Sequence, residues 1–160
     1  TGKLDVTMGG PPVKQFFYDD PNVGVTPIID YNRFDVDSPA SFRRSIYRYV
    51  FRTVTDPLMD SLDCPDASQL SPVRNTSVTA LQALTMWNNR FIVRQAEHFA
   101  ERVGKMSPDL ATQIESACEL AWGRPPTPTE AKALLGYGTK HGMSNTCRVL
   151  FNGNEFMFVN

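Results

Sequence analysis

The chain has 160 residues, a formal net charge of −1, and 41% hydrophobic and 21% charged side chains. That length allows one domain with a core, and the composition is too ordinary for wholesale disorder. The balanced charge lacks the basic excess of a nucleic-acid binder, and no apolar run approaches the ~20 residues of a membrane helix.

The opening Thr1-Gly2-Lys3-Leu4-Asp5 reads as neither a signal peptide nor an initiator context. The chain is therefore expected to be the C-terminal fragment of a larger protein. Residues 1–42 carry Gly9-Gly10-Pro11-Pro12, Asp20-Pro21-Asn22, Thr26-Pro27 and Ser38-Pro39, which favour turns and extended backbone. They also hold Phe16, Phe17, Tyr18, Tyr31 and Phe34, more aromatic surface than a free linker carries. An irregular arm packed on the body is expected, with the body spanning 43–160.

Residues 43–54 are rich in aromatic and β-branched side chains and predict a strand. Alternation places Tyr47, Tyr49 and Phe51 on one face, with Arg44, Ile46, Arg48, Val50 and Arg52 on the other. The arginine spacing also suits a helix. Residues 55–77 read as a loop. Helices follow. Thr79 with Gln82 forms a capping-box pattern opening a helix through Leu81, Leu84 and Trp87 to Asn88-Asn89. A second starts near Arg90, with Ile92, Ala96, Phe99 and Val103 on one stripe and Gly104 as its stop. Ser107-Pro108 predicts the opening of a third, carrying Leu110, Ile114, Ala117, Cys118 and Ala121 up to Gly123. Thr127 with Glu130 opens a fourth, with Ala131, Leu134, Leu135 and Gly138. A last short helix is expected over 145–151, after which Asn152-Gly153-Asn154 turns the chain. The fold class is thus mainly α: a cluster of four to five helices with an irregular N-terminal arm and one or two short strands.

Candidate site residues concentrate before the helices. Asp56, Asp60, Asp63 and Asp66 make an acidic loop, without the glycine or spacing of an EF-hand. Arg43, Arg44, Arg48 and Arg52 precede it, and Arg74 follows. Bidentate Arg–Asp pairs would satisfy both groups in a structural network. The other reading is a ligand site, in which arginines take an anionic group and tyrosines stack on sugar rings. Structural pairing is favoured, because the opposed charges leave little field to attract an anion. No metal site is assigned.

His98 falls on the polar face of the second helix with Arg94, Glu97, Glu101 and Arg102, and His141 in a glycine-bracketed turn; both read as surface residues. Cys64, Cys118 and Cys147 are far apart and form no CxxC, leaving one disulfide or three thiols open. No GxSxG, P-loop or dinucleotide fingerprint occurs.

Six segments, taken in order, resemble one family. They are Arg43-Arg44-Ser45-Ile46-Tyr47, Leu62-Asp63-Cys64-Pro65-Asp66, Arg74-Asn75-Thr76-Ser77 running on to Leu84, and Asn88-Asn89-Arg90-Phe91-Ile92. Gly123-Arg124-Pro125-Pro126-Thr127 with Glu130, and Leu150-Phe151-Asn152-Gly153-Asn154-Glu155-Phe156, complete the set. Together they look like the C-terminal part of the planctomycete-specific domain of unknown function that accompanies planctomycete cytochrome-c-like domains. The resemblance implies an exported, extracytoplasmic parent with further domains, and it carries over no catalytic residue. It leaves room for haem elsewhere in the parent, while this piece is expected to hold no cofactor. The resulting expectation is a structural or interaction module whose partners are the parent's other domains. The alternatives are part of an enzyme acting on complex polysaccharides, or a docking domain for the cytochrome-c-like module.

Overall fold

A computed structural model describes residues 1–19, 28–49, 56–64, 77 and 79–158. The chain divides into two compact units, Lys3–Val78 and Thr79–Asn160, the latter joined by Thr1–Gly2. As the pattern predicts, the fold is mainly helical with a small two-stranded sheet and an irregular N-terminal region.

In the first unit, β1 (Phe17–Asp19) pairs antiparallel with β2 (Ile28–Asp30), Phe17 opposite Asp30 and Tyr18 opposite Ile29. Phe16 is the buried anchor of this unit, with the rings of Tyr31 and Tyr49 meeting it edge-on at 5.9 and 6.1 Å. The N-terminal segment runs parallel to residues 42–49. Asp5 N–H donates to the Phe42 carbonyl, Val13 N–H to Tyr47, and Tyr49 N–H to Val13 (2.8, 2.8 and 2.9 Å).

These bonds correct the strand expected over 43–54. Arg43 and Arg48 each make one isolated parallel bridge, to Asp5 and Val13, and Ser45–Tyr47 between them winds into a 3-10 turn. The partner backbone is met at two points rather than along a ladder, so the stretch between them tightens on itself. Phe51 and Arg52 lie outside the described residues. The loop expected over 55–77 contains a short helix, α1 (Pro57–Ser61). Asp56 caps it, accepting from the N–H groups of Leu58 and Met59, and Pro57 takes the first position, where no N–H is needed.

The helical unit holds α2 (Ala80–Asn88), α3 (Arg90–Gly104), α4 (Leu110–Trp122), α5 (Pro128–His141), α6 (Met143–Phe151) and the single turn α7 (Asn154–Met157). Both capping boxes form: Thr79 with Gln82, and Thr127 with Glu130. Asn89 ends α2 and caps α3, accepting from Phe91 N–H. Gly123 closes α4 in the left-handed conformation (φ 73°) that favours glycine. α4 begins later than Ser107-Pro108 suggests, because Asp109 supplies the cap by accepting from Thr112 N–H. Gly104 is the last residue of α3, yet Lys105 beyond it stays right-handed, so no glycine stop operates.

α3 packs against α2, α4 and α6. Ala96, Phe99, Val103, Ile114, Ala117, Cys118, Cys147, Leu150 and Phe151 make the core. Because α3 is covered on several sides, His98 is buried (7% exposed) rather than on a solvated face, its Nδ1 3.8 Å from Glu101. On α2 the apolar residues do not all turn inward. Leu81 and Leu84 face outward (63% and 58% exposed), while Gln82 and Met86 are buried. On α5, Leu134 and Gly138 are buried and Leu135 is exposed.

All three cysteines are free thiols, Cys118 and Cys147 buried and Cys64 exposed. Burial pushes Cys118 up to about 11 and Cys147 to about 12. Alkylation at pH 8 is expected to modify Cys64 alone in the native chain and all three after denaturation. Native labelling of Cys147, read by peptide mass, would contradict this packing.

Candidate functional site

Of the residues singled out by sequence, Arg43, Arg44, Arg48, Asp60 and Asp63 are described; Arg52, Asp66 and Arg74 lie outside the described residues. Arg48 forms an ion pair with Asp56, both side chains mostly covered. Asp56 therefore serves two partners, accepting the α1 N–H groups through Oδ1 and facing the guanidinium through Oδ2. Its charge, after burial itself, raises the pKa of Tyr31 above the ordinary phenol value.

Arg43 donates from Nη2 to the Gly9 carbonyl (2.7 Å), and its Nε lies 3.8 Å from Asp5. Its guanidinium sits 4.3 Å over the Tyr47 ring, with that of Arg44 at 5.7 Å. Gly9 N–H donates to the Tyr47 hydroxyl (2.8 Å); that bond first, then Arg44, holds Tyr47 below the usual phenol range. Asp63 adopts φ 55° and accepts from both the backbone N–H (2.7 Å) and hydroxyl of Ser77. Asp60 sits in the first turn of α1, where a carboxylate favours the helix dipole. Among the described carboxylates of the acidic loop, Asp56 thus serves a helix cap and a guanidinium, and Asp63 a serine. Among the described residues, no group of three or more His, Cys, Asp or Glu comes together as a metal cluster.

Several cations of this unit lie over aromatic rings. Lys14 lies over Tyr18 and Tyr49 (5.2 and 5.6 Å), Arg33 over Phe17 (4.0 Å), and Arg44 over Tyr47.

The helical unit contains a second charge constellation, whose pairing the sequence did not reveal. Arg124, just past Gly123, makes bidentate bonds to Glu130 (2.9 and 2.9 Å) and to Glu155 (2.8 and 2.7 Å). Its Nη1 also donates to the Pro125 carbonyl (3.1 Å), so all five N–H groups are engaged. Beneath it, Trp122 lies 5.2 Å from the guanidinium and donates from Nε1 to the Leu150 carbonyl (3.2 Å). Gly153 passes so close to this indole that a Cβ would stand 3.2 Å from Nε1. Two of the sequence segments, 123–130 and 150–156, therefore meet at one corner. The signal was present in both; their pairing across some 30 positions was not.

Arg124 first, then the Thr127 N–H and hydroxyl, hold Glu130 down to about 2 from an ordinary 4.5. A carboxylate depressed in the folded state contributes stability that is complete above its unfolded value and lost as pH falls toward the folded one. The thermal midpoint is thus expected to decline between about pH 4.5 and about 2. Glu130→Gln, which keeps a capping-box residue, should make that decline shallower; an unchanged slope would show that the clamp is not linked to acid stability.

The fold and the sites define a helical domain joined to an aromatic-rich, irregular unit whose described charges are largely paired. The chain belongs to the family described as PSD1, protein of unknown function (DUF1553), whose model matches residues 1–137. No curated protein and no solved structure matches it.

Proposed function

We propose that this chain is a structural or interaction module of an exported, extracytoplasmic multidomain protein of the planctomycete type, docking on the parent's other domains. The observation that carries the reading is how the predicted site residues are engaged. Arg48 is held by Asp56, Arg43 by Gly9 and Asp5, and Asp63 by Ser77. A nucleophile or base needs a group free to exchange protons with a substrate; these groups are tied to backbone and to one another. The outward-facing Leu81 and Leu84 on the uncharged helix α2 add apolar surface that a neighbouring domain would cover. Light scattering and hydrophobic-dye binding on the isolated chain, set against the parent, test the proposal. Dye binding that falls in the parent supports it; a monodisperse chain that binds no dye argues against it.

A second reading places the chain in an extracytoplasmic enzyme acting on complex polysaccharides. The ring-stacked cations Lys14, Arg33 and Arg44 favour it, since aromatic faces with a nearby cation suit anionic sugars. Under this reading, Arg48→Ala and Asp63→Ala in the parent abolish activity while the folded chain keeps its stability; variants that simply unfold would remove it. A third, docking of an attached cytochrome-c-like module, leaves the haem with that module. The isolated chain should then show no Soret band, and the parent should.

A further inference from the structure

α7 is a helix of four residues, too short to hold itself. Its backbone bonds are local: Phe156 and Met157 N–H donate to the Gly153 carbonyl, and Phe158 N–H to that of Asn154. It packs on α4 and α6, and two side-chain contacts among the described residues fasten it there. Glu155 makes the double bond pair to Arg124, with both side chains partly open to solvent. Phe156 stacks on Phe151 at 4.7 Å, continuing the Phe99–Phe151 stack at 5.4 Å. Behind the turn, Gly153 N–H donates to the Leu150 carbonyl, which also accepts the Trp122 indole.

We infer that α7 is an ion-pair-locked strap, which opens as a unit on loss of the Arg124–Glu155 contact and bares Phe151 and Trp122 while α2–α6 remain folded. Each body helix buries core residues of its own, whereas α7 buries none. Segments with few buried contacts open well below the free energy of global unfolding. The lock is exposed, so added salt weakens it while leaving the core intact. The strap is therefore a switch set by ionic strength.

Hydrogen exchange on the full chain tests this, with Glu155→Gln as the variant because Arg124 also serves the cap of α5. Exchange of amides 153–158 is expected to rise about two- to fivefold in the variant, the range for one exposed ion pair. Amides of α3 and α4 should not change. At ~1 M salt, where the screening length falls to about 3 Å, the wild type should approach the variant. In a Trp87→Phe background, Trp122 should become more accessible to acrylamide on the same additions. Unchanged exchange at 153–158, or an equal rise throughout α3–α6, would overturn the inference.

Discussion

Leu150→Ala is expected to lower the free energy of unfolding by about 2–5 kcal/mol, the range for truncating a fully buried leucine and leaving a cavity. Leu150 is 0% exposed on α6, which packs on α3, α4 and α5 at the centre of the helical unit. Both tryptophans, Trp87 and Trp122, belong to this unit. Their fluorescence during denaturant unfolding therefore reads the loss directly. Leu84→Ala is the matched control: the same atoms are removed from an exposed position, and a change within about 0.5 kcal/mol is expected. Equal losses from the two variants would mean that the outward face of α2 is covered in solution, and the orientation of that helix would need revision.

The second large effect is expected at Asp56. Replacing it by alanine removes a helix cap and leaves Arg48 without its carboxylate, a combined cost of about 2–4 kcal/mol. Asparagine keeps the cap acceptor and loses only the charge, so Asp56→Asn should cost about half as much. Four of the five tyrosines, Tyr18, Tyr31, Tyr47 and Tyr49, lie in the same unit, so in a Tyr137→Phe background near-ultraviolet tyrosine dichroism follows its unfolding apart from the tryptophan fluorescence. The order wild type, Asn, Ala is the expected result. If Asn and Ala were equally damaging, the ion pair alone would matter and the cap at α1 would contribute nothing.

Much of the helical unit was legible because its boundaries rest on short-range chemistry. Thr79 with Gln82, Asn89, Thr127 with Glu130, and Gly123 each satisfy backbone groups within four residues, so local sequence is enough to find them. Which face of a helix turns inward depends on the neighbours. α2 carries Leu81 and Leu84 on one side and Gln82 and Met86 on the other, and the second pair is buried. Gln82 tolerates burial because its side-chain oxygen already accepts from Thr79 N–H. His98 was misplaced for a related reason: a stripe argument assumes one covered side, and α3 has several. Residues 43–49 look like a strand because strand propensity reports fit to a pleated surface, and among the described residues no continuous partner strand supplies one.

The candidate site was legible as composition and not as pairing. Opposite charges between 43 and 63 suggested mutual neutralisation, and Arg48–Asp56 has that form. Arg43 takes a glycine carbonyl and an aspartate from the N-terminal segment, and Asp63 also takes a serine. Those partners carry no charge signature, or lie nearly 40 positions away, so residue type alone did not point to them.

Arg124 bears on where this chain could recognise an anion. Its planar head holds two carboxylates and a carbonyl, so every hydrogen it can offer is already taken. A sulfate or phosphate arriving there would have to evict a glutamate before it gained a single bond. Lysine at this position would present a point charge with three hydrogens and no fork, and would reproduce neither chelate. The corner is chemically saturated: its donors are committed to the fold.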